Sequence, residues 1–95
     1  MEMYNNFIKN KTQEQINAFA NNQTHIAAGF MMTTLANLKI DSCPIGGFIE
    51  EEILKILEKN PNNYGVSMLL PIGYRLKNGR EKTRRNFNEI VEIRE

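Results

Sequence analysis

Cysteine, tryptophan and long apolar runs are nearly or wholly missing from this sequence. The chain has one cysteine, Cys43, and no tryptophan. A single cysteine excludes an internal disulfide and fits a reducing compartment. No apolar run approaches the roughly 20 residues that a membrane-spanning helix needs. Met1 is not followed by the basic stretch and apolar core of a signal peptide. We therefore expect a cytoplasmic protein without a membrane partner.

An excess of charge of either sign is missing as well. Twelve Lys and Arg residues face 11 Asp and Glu residues, which leaves a net charge of +1. This balance gives no general attraction to nucleic acid. The basic stretch at residues 75–85 has no interleaved aromatic residue, so we expect no nucleic-acid partner. Ninety-five residues make one domain or part of one.

The first strong pattern predicts a long helix over residues 12–38. Thr12, followed three residues later by Gln15, has the signature of a capping box. Apolar residues then recur at spacings of three and four, a helical period. They are Ile16, Phe19, Ala20, Ala27, Phe30, Met31, Leu35 and Leu38, widened by Ala28 and Met32. Gln23 lies on the same stripe, where we expect it to be a satisfied core or interface residue. A 95-residue monomer cannot cover such a helix, so we expect association through it.

The second half of the chain contains shorter signals. Pro44 excludes a continuation of the first helix. A second helix is expected between residues 49 and 59, with Ile49, Ile53, Ile56 and Leu57 as its apolar stripe and Pro61 ending it. Residues 64–74 are apolar and predict a buried strand, with Pro71 marking an edge or a strand end. A polar loop follows at residues 76–85, and residues 89–93 fit either a last strand or a short helix.

Three segments, taken in order, resemble the nitroreductase family. The first is Gln23 with residues 26–32, which read IAAGFMM. The second is residues 40–48, IDSCPIGGF. The third is residues 70–74, LPIGY, followed by KTR at residues 82–84. The ordered set extends over residues 12–93 and resembles the C-terminal half of the family's domain. We therefore interpret residues 1–95 as a partial domain without its N-terminal half.

The resemblance implies an α+β fold with a long central helix, a second helix and one or two strands. It further implies a homodimer, or association with the missing N-terminal half, and FMN at the dimer interface. NAD(P)H would be the electron donor, and a nitroaromatic or quinone-like compound the acceptor. Because the redox chemistry belongs to the flavin, we assign no side chain as a catalytic acid or base.

Six residues match the family's cofactor-binding positions. Pro44, Ile45, Gly46 and Gly47 match the loop beside the isoalloxazine ring, and a glycine pair allows backbone to approach a flat ring closely. Lys82 and Arg84 match the phosphate-binding pair, in which arginine supplies a fork of donors and lysine a point charge. The simpler interpretations are a plain turn at the glycines and a solvated basic loop at residues 75–85.

Two departures from the family pattern predict local structure. Lys39 stands where the family usually has glycine, so a left-handed backbone there would be strained by about 1–2 kcal/mol. Ile49 stands where the family often has a helix-capping acid, so we expect that cap to be lost. An alternative function also remains, in which the chain is a non-catalytic remnant or dimerisation module that has lost tight FMN binding.

Overall fold

The computed structural model describes residues 2–95, which contain four helices and a small antiparallel sheet. In chain order they are α1 (Glu2–Ile8), α2 (Gln13–Asn37), β1 (Asp41–Ser42), α3 (Glu50–Ile56), β2 (Ile72–Gly73) and α4 (Phe87–Ile90). This arrangement confirms the α+β class, the long helix and the second helix. No helix within residues 2–95 is both long enough and apolar enough to cross a membrane.

The long helix α2 begins at the predicted capping box. The Gln15 backbone N–H donates to Thr12 Oγ1 over 3.1 Å, and the Thr12 N–H donates to Gln15 Oε1 over 2.9 Å. Two backbone donors that the first turn leaves free are thereby satisfied. The helix therefore starts and ends within one residue of the predicted limits, 12 and 38.

A Schellman motif ends α2. The Lys39 N–H donates to the Ala36 carbonyl over 3.0 Å, and the Ile40 N–H donates to the Leu35 carbonyl over 2.9 Å. This pair of bonds requires a left-handed residue just beyond the cap, and Lys39 has φ 61°. The left-handed backbone on which the expected strain at Lys39 depends is thus present, and it directs the chain from α2 into β1.

The second helix, α3, ends in the same way. Glu58 has φ 56°, its N–H donates to the Lys55 carbonyl, and the Lys59 N–H donates to the Leu54 carbonyl over 2.9 Å. At the other end, Ile49 makes no side-chain capping bond, as predicted.

Most of the predicted apolar stripe of α3 is exposed in this chain. Ile49, Ile56 and Leu57 are exposed, whereas Leu54 is buried with 4% of its surface accessible. Ile53 of the stripe is half-buried beside Leu54, which the period did not include. Because α3 stops at Ile56, the helix is also shorter than the predicted span of residues 49–59.

The sheet joins residues 41–45 to residues 69–73 in one antiparallel register. Asp41 pairs with Gly73 and Ser42 with Ile72, and an isolated bridge joins Ile45 to Leu69. Between them, the Cys43 N–H donates to the Pro71 carbonyl over 3.1 Å. Pro71 has no N–H to return that bond, so the ladder is interrupted there. The strand predicted over residues 64–74 is therefore much shorter, and β1 is an element that the sequence did not predict.

An ion pair closes the open end of this sheet. Arg75 Nη2 lies 2.5 Å from Asp41 Oδ1, and the Arg75 backbone N–H donates to Asp41 Oδ2 over 3.0 Å. The donated guanidinium bond is the main cause that lowers the pKa of the Asp41 carboxyl below 3.8, and the backbone bond adds to it. The same bond raises the pKa of Arg75.

Few side chains are buried in this chain. Among the described hydrophobic residues, only Ala28 and Leu54 are buried. Most of the predicted stripe of α2 is exposed, including Phe30 at 73%. Gln23 is exposed as well, so it is not a core residue of this chain, and its expected role at an interface stays a prediction. Helix α1 was not predicted. It packs on α2 through Phe7 and Phe19, whose ring centroids lie 5.0 Å apart.

The chain is correspondingly open. Its Cα radius of gyration is 17.9 Å, whereas a compact domain of this length has roughly 12 Å. Its accessible surface is 9286 Å², against about 5600 Å² for a compact monomer of the same mass. The described residues thus leave several thousand Å² uncovered that a compact protein would bury.

Lys39→Gly should stabilise the chain. Glycine removes a left-handed strain of about 1–2 kcal/mol but adds about 0.5–1 kcal/mol of unfolded-state entropy, so the net gain is roughly 0.5–1 kcal/mol. Urea unfolding followed by circular dichroism at 222 nm measures it. Lys39→Ala is the matched control, since it loses the charge and keeps the strain. A Lys39→Gly variant no more stable than Lys39→Ala would contradict the strain at this position.

The Asp41–Arg75 pair should weaken in acid. The pKa of Asp41 is lowered in the folded chain. The contribution of the ion pair to the free energy of unfolding is therefore complete above the unfolded pKa of about 3.9, and it is lost as pH falls through the folded pKa. The backbone amide of Arg75 reports this directly by ¹⁵N NMR. Its titration midpoint should lie below 3.8, and Asp41→Asn should abolish the step. A midpoint at or above 3.8 in the unsubstituted chain would show that the pair does not form.

Candidate functional site

The loop at residues 44–47 begins where the sheet fixes the backbone. Ile45 exchanges both of its backbone bonds with Leu69, at 2.8 Å and 2.9 Å. Its N–H and carbonyl are therefore committed to the ladder, and only its half-buried side chain remains for a ligand. Pro44, which is exposed, has no N–H to offer. The ladder thus determines which loop residues can use backbone donors.

Gly46 and Gly47 provide those donors. Neither glycine N–H makes a hydrogen bond to another group among residues 2–95. A Cβ at either position would meet no atom within 4 Å, so the space beside the backbone is open. Neither glycine has a positive φ, so the turn itself does not require glycine at these positions. The backbone at these two residues is therefore open to close approach by a flat group.

Lys82 and Arg84 lie in the irregular segment between β2 and α4. Both are exposed, and neither forms a salt bridge with a carboxylate within residues 2–95. Arg84 Nη1 donates to the adjacent Thr83 carbonyl over 2.7 Å, which leaves its other donors available. Two neighbouring cations without acidic partners fit a phosphate group, which accepts charge-assisted hydrogen bonds from both.

No hydrogen bond or ion pair among the described residues joins the glycine loop directly to Lys82 or Arg84. The two groups are connected through the sheet and the Asp41–Arg75 pair. Arg75 is the last residue before residues 76–86, which form no helix or strand. The glycine loop follows β1, and the segment with Lys82 and Arg84 follows β2. The two halves of the candidate site therefore extend from the two strands of one short sheet.

No sequence pattern indicated the Asp41–Arg75 pair. The two residues lie 34 positions apart, and Arg75 was one cation among several in a basic stretch. Their proximity follows from the register in which Asp41 faces Gly73. Only a prediction of both strands and their register would have identified it.

Two clefts of the described chain lie elsewhere. One, of about 270 Å³, lies between α1 and α2 and is lined by Phe7 and Phe19. The other, of about 1030 Å³, lies between α2 and residues 61–67 and has a polar lining. None of the six candidate residues lines either cleft. A ligand on the glycine loop would therefore lie on an open surface of this chain, and other surfaces would have to cover it.

Comparison with known proteins gives one family. The sequence model of the Nitroreductase family matches residues 4–74. Three curated relatives carry the name "Putative NAD(P)H nitroreductase". YfkO of Bacillus subtilis is 39% identical over 77% of this chain, SSP0379 of Staphylococcus saprophyticus is 35% identical over 92%, and SA2311 of Staphylococcus aureus is 37% identical over 78%.

The matches differ in how far they extend along the chain. The family match ends at Tyr74, before Lys82 and Arg84. The match to SSP0379 takes in 92% of the chain, and any stretch of that length includes residues 82–84. The chain spans 35% of the length of YfkO and 42% of that of SSP0379. Because the family match covers well over half of its residues, this chain belongs to the Nitroreductase family.

Proposed function

We propose that the chain forms the flavin-edge part of an FMN-dependent oxidoreductase that uses NAD(P)H as electron donor. Family membership and the names of the relatives support an NAD(P)H-dependent reaction. The observation that carries the proposal is the pair of unpaired N–H groups at Gly46 and Gly47, beside open space and on a loop fixed by the sheet. The single cysteine, Cys43, supports a cytoplasmic setting.

The residues present fit FMN in two places. The N–H groups of Gly46 and Gly47 would donate to an acceptor on the flavin edge, while Pro44 and the Ile45 side chain would flank the ring. Lys82 and Arg84 would hold the phosphate. When bound, FMN supplies the redox chemistry that carries electrons from NAD(P)H to a nitroaromatic or quinone-like acceptor. The protein's contribution is to bind and orient the cofactor.

The uncovered surface of the chain supports an assembly. We propose that the exposed apolar residues of α2, such as Ile26 and Phe30, pack in a homodimer or against the rest of a nitroreductase domain. An ordinary interface buries about 800 Å² on each partner, which is less than the excess surface of this chain. On this proposal, residues 1–95 correspond to the C-terminal half of the domain.

The alternative function is a dimerisation module that no longer binds FMN tightly. It shares the exposed apolar helix with the proposed enzyme. It differs because it needs neither the N–H donors of Gly46 and Gly47 nor the positive charges of Lys82 and Arg84. Cofactor binding therefore separates the two functions, whereas oligomeric state does not.

The chain should not be strictly monomeric. Exposed apolar residues over most of α2 favour association, because their burial contributes about 25 cal/mol per Å². Sedimentation velocity at micromolar concentration should show a dimer or larger species. Phe30→Glu places a charge on the exposed helix surface and should shift the equilibrium towards monomer, whereas Glu14→Gln, in the first turn of α2, is the control. A single monomeric species at these concentrations would argue against the assembly.

Arg84→Ala should weaken FMN binding about ten- to a hundredfold. A charge-assisted hydrogen bond contributes about 1.5–3 kcal/mol, and each 1.4 kcal/mol is a factor of ten. Titration by quenching of flavin fluorescence measures the change. The unsubstituted chain should itself bind FMN only weakly and show little NAD(P)H oxidation. The reason is that it spans 35–42% of the relatives' length and lacks the contacts that the rest would supply.

Arg80→Ala is the matched control for Arg84→Ala. It removes the same charge from the same exposed segment and should have a much smaller effect. Equal losses at both arginines would indicate a diffuse basic patch and count against a defined phosphate site. A submicromolar FMN complex with steady NAD(P)H turnover would show that the chain is a complete minimal enzyme, contrary to the partial-domain interpretation. No FMN binding under any condition would favour the dimerisation module.

A further inference from the structure

The Asp41–Arg75 pair stands apart from the other charged contacts of the chain. Two salt bridges occur among residues 2–95, and the other, Arg94 with Glu92, joins residues only two positions apart. Asp41 and Arg75 are 34 positions apart and sit at the same end of the sheet. Exposed ion pairs usually contribute little, because two mobile side chains must be held in one geometry. Here one of the two bonds runs to the Arg75 backbone N–H, so Asp41 holds the main chain as well as a side chain.

We propose that Asp41 and Arg75 form a clamp that positions the phosphate-binding segment relative to the flavin-edge loop. Asp41 belongs to β1, the strand that leads into the loop at residues 44–47. Arg75 immediately precedes residues 76–86, the segment that carries Lys82 and Arg84. The clamp therefore fixes the start of the segment that carries Lys82 and Arg84. It holds that start against β1, the strand that leads into the glycine loop.

A gap in the ladder leaves the sheet dependent on few bonds. Pro71 cannot return the bond that Cys43 donates, so the two strands are held weakly at their middle. The Ile45–Leu69 bridge secures the end nearest the glycine loop. Without Asp41, only the short pairing of β1 with β2 would hold the opposite end, from which residues 76–86 depart. Asp41 and Arg75 are thus positioning residues, acting through Lys82 and Arg84 and not by touching the cofactor.

This inference rests on the proposed function, since it assigns the clamp a role in phosphate binding. The useful quantity is the ratio of the dissociation constants of riboflavin and FMN, which isolates the phosphate contribution. Loss of the clamp should lower this ratio, because the basic segment must then be ordered at the moment of binding. The dissociation constant of riboflavin should stay within about twofold, since the loop retains its Ile45–Leu69 bridge.

Asp41→Asn is the decisive variant, because general electrostatics predicts the opposite sign. Removing a carboxylate makes the chain more positive, so long-range attraction alone would strengthen binding of the anionic FMN. The clamp predicts a ratio about three- to tenfold lower. Arg75→Ala should lower the ratio similarly, and Arg80→Ala, which removes the same charge from the same region, should do so much less. The full 95-residue chain is titrated with each flavin, and circular dichroism checks that α2 is intact.

Each result decides between the possibilities. A lower ratio in Asp41→Asn and Arg75→Ala, with riboflavin binding preserved, supports the clamp. An unchanged or higher ratio in Asp41→Asn overturns the clamp and leaves the proposed function standing. Equal weakening of both flavins also overturns it, because that result marks a merely structural role. If the unsubstituted chain shows no preference for FMN over riboflavin, the phosphate site of the proposed function is wrong, and the clamp's role is wrong with it.

Discussion

The pairing of residues 41–45 with residues 69–73 is the constraint on which the candidate site depends. It gives the glycine loop a fixed starting point at Ile45 and determines where residues 76–86 leave the sheet. A shift of one residue in this register would turn every side chain of the pairing to the opposite face. It would also separate Asp41 from Arg75. Two features are consistent with this register. Pro71 lies opposite Cys43, where it accounts for the missing return bond, and the Asp41–Arg75 ion pair lies at the end of the sheet next to β2.

The chain enters this sheet through a strained turn. Lys39 adopts a left-handed backbone directly before β1, and Glu58 does the same after α3. In both cases the two Schellman bonds satisfy carbonyls that the helix end would otherwise leave free. The strain is therefore offset locally, with half-buried Ile40 and Leu35 beside the first turn. The turn at Lys39 needs no contact with the rest of a domain, which explains why α2 and β1 have a defined relation in so open a chain.

Local signals in the sequence predicted local structure well. The capping box at Thr12 and the missing cap at Ile49 each depend on a few consecutive residues, and both were predicted correctly. The features that were missed depend on distant partners. Strand β1 exists because of β2, the Asp41–Arg75 pair exists because of their register, and the burial of Leu54 reflects packing that period alone does not reveal. For the same reason, the six candidate residues came from a resemblance to known proteins. The structure shows which of their backbone N–H groups are free. The N–H groups of Cys43 and Ile45 donate within the sheet, whereas those of Gly46 and Gly47 do not.

Geometry and affinity depend on different parts of this molecule. The glycine loop is held by the backbone hydrogen bonds between Ile45 and Leu69, which do not need a large apolar core. Affinity for a flavin requires more, because the ring must be covered on both faces and its polar groups must all be paired. The described chain buries little apolar surface and leaves the space beside Gly46 and Gly47 open. The arrangement of the site can therefore exist before the site is complete. In that case, a polypeptide that covers α2 and the glycine loop would raise affinity by adding contacts, without first having to reshape the loop.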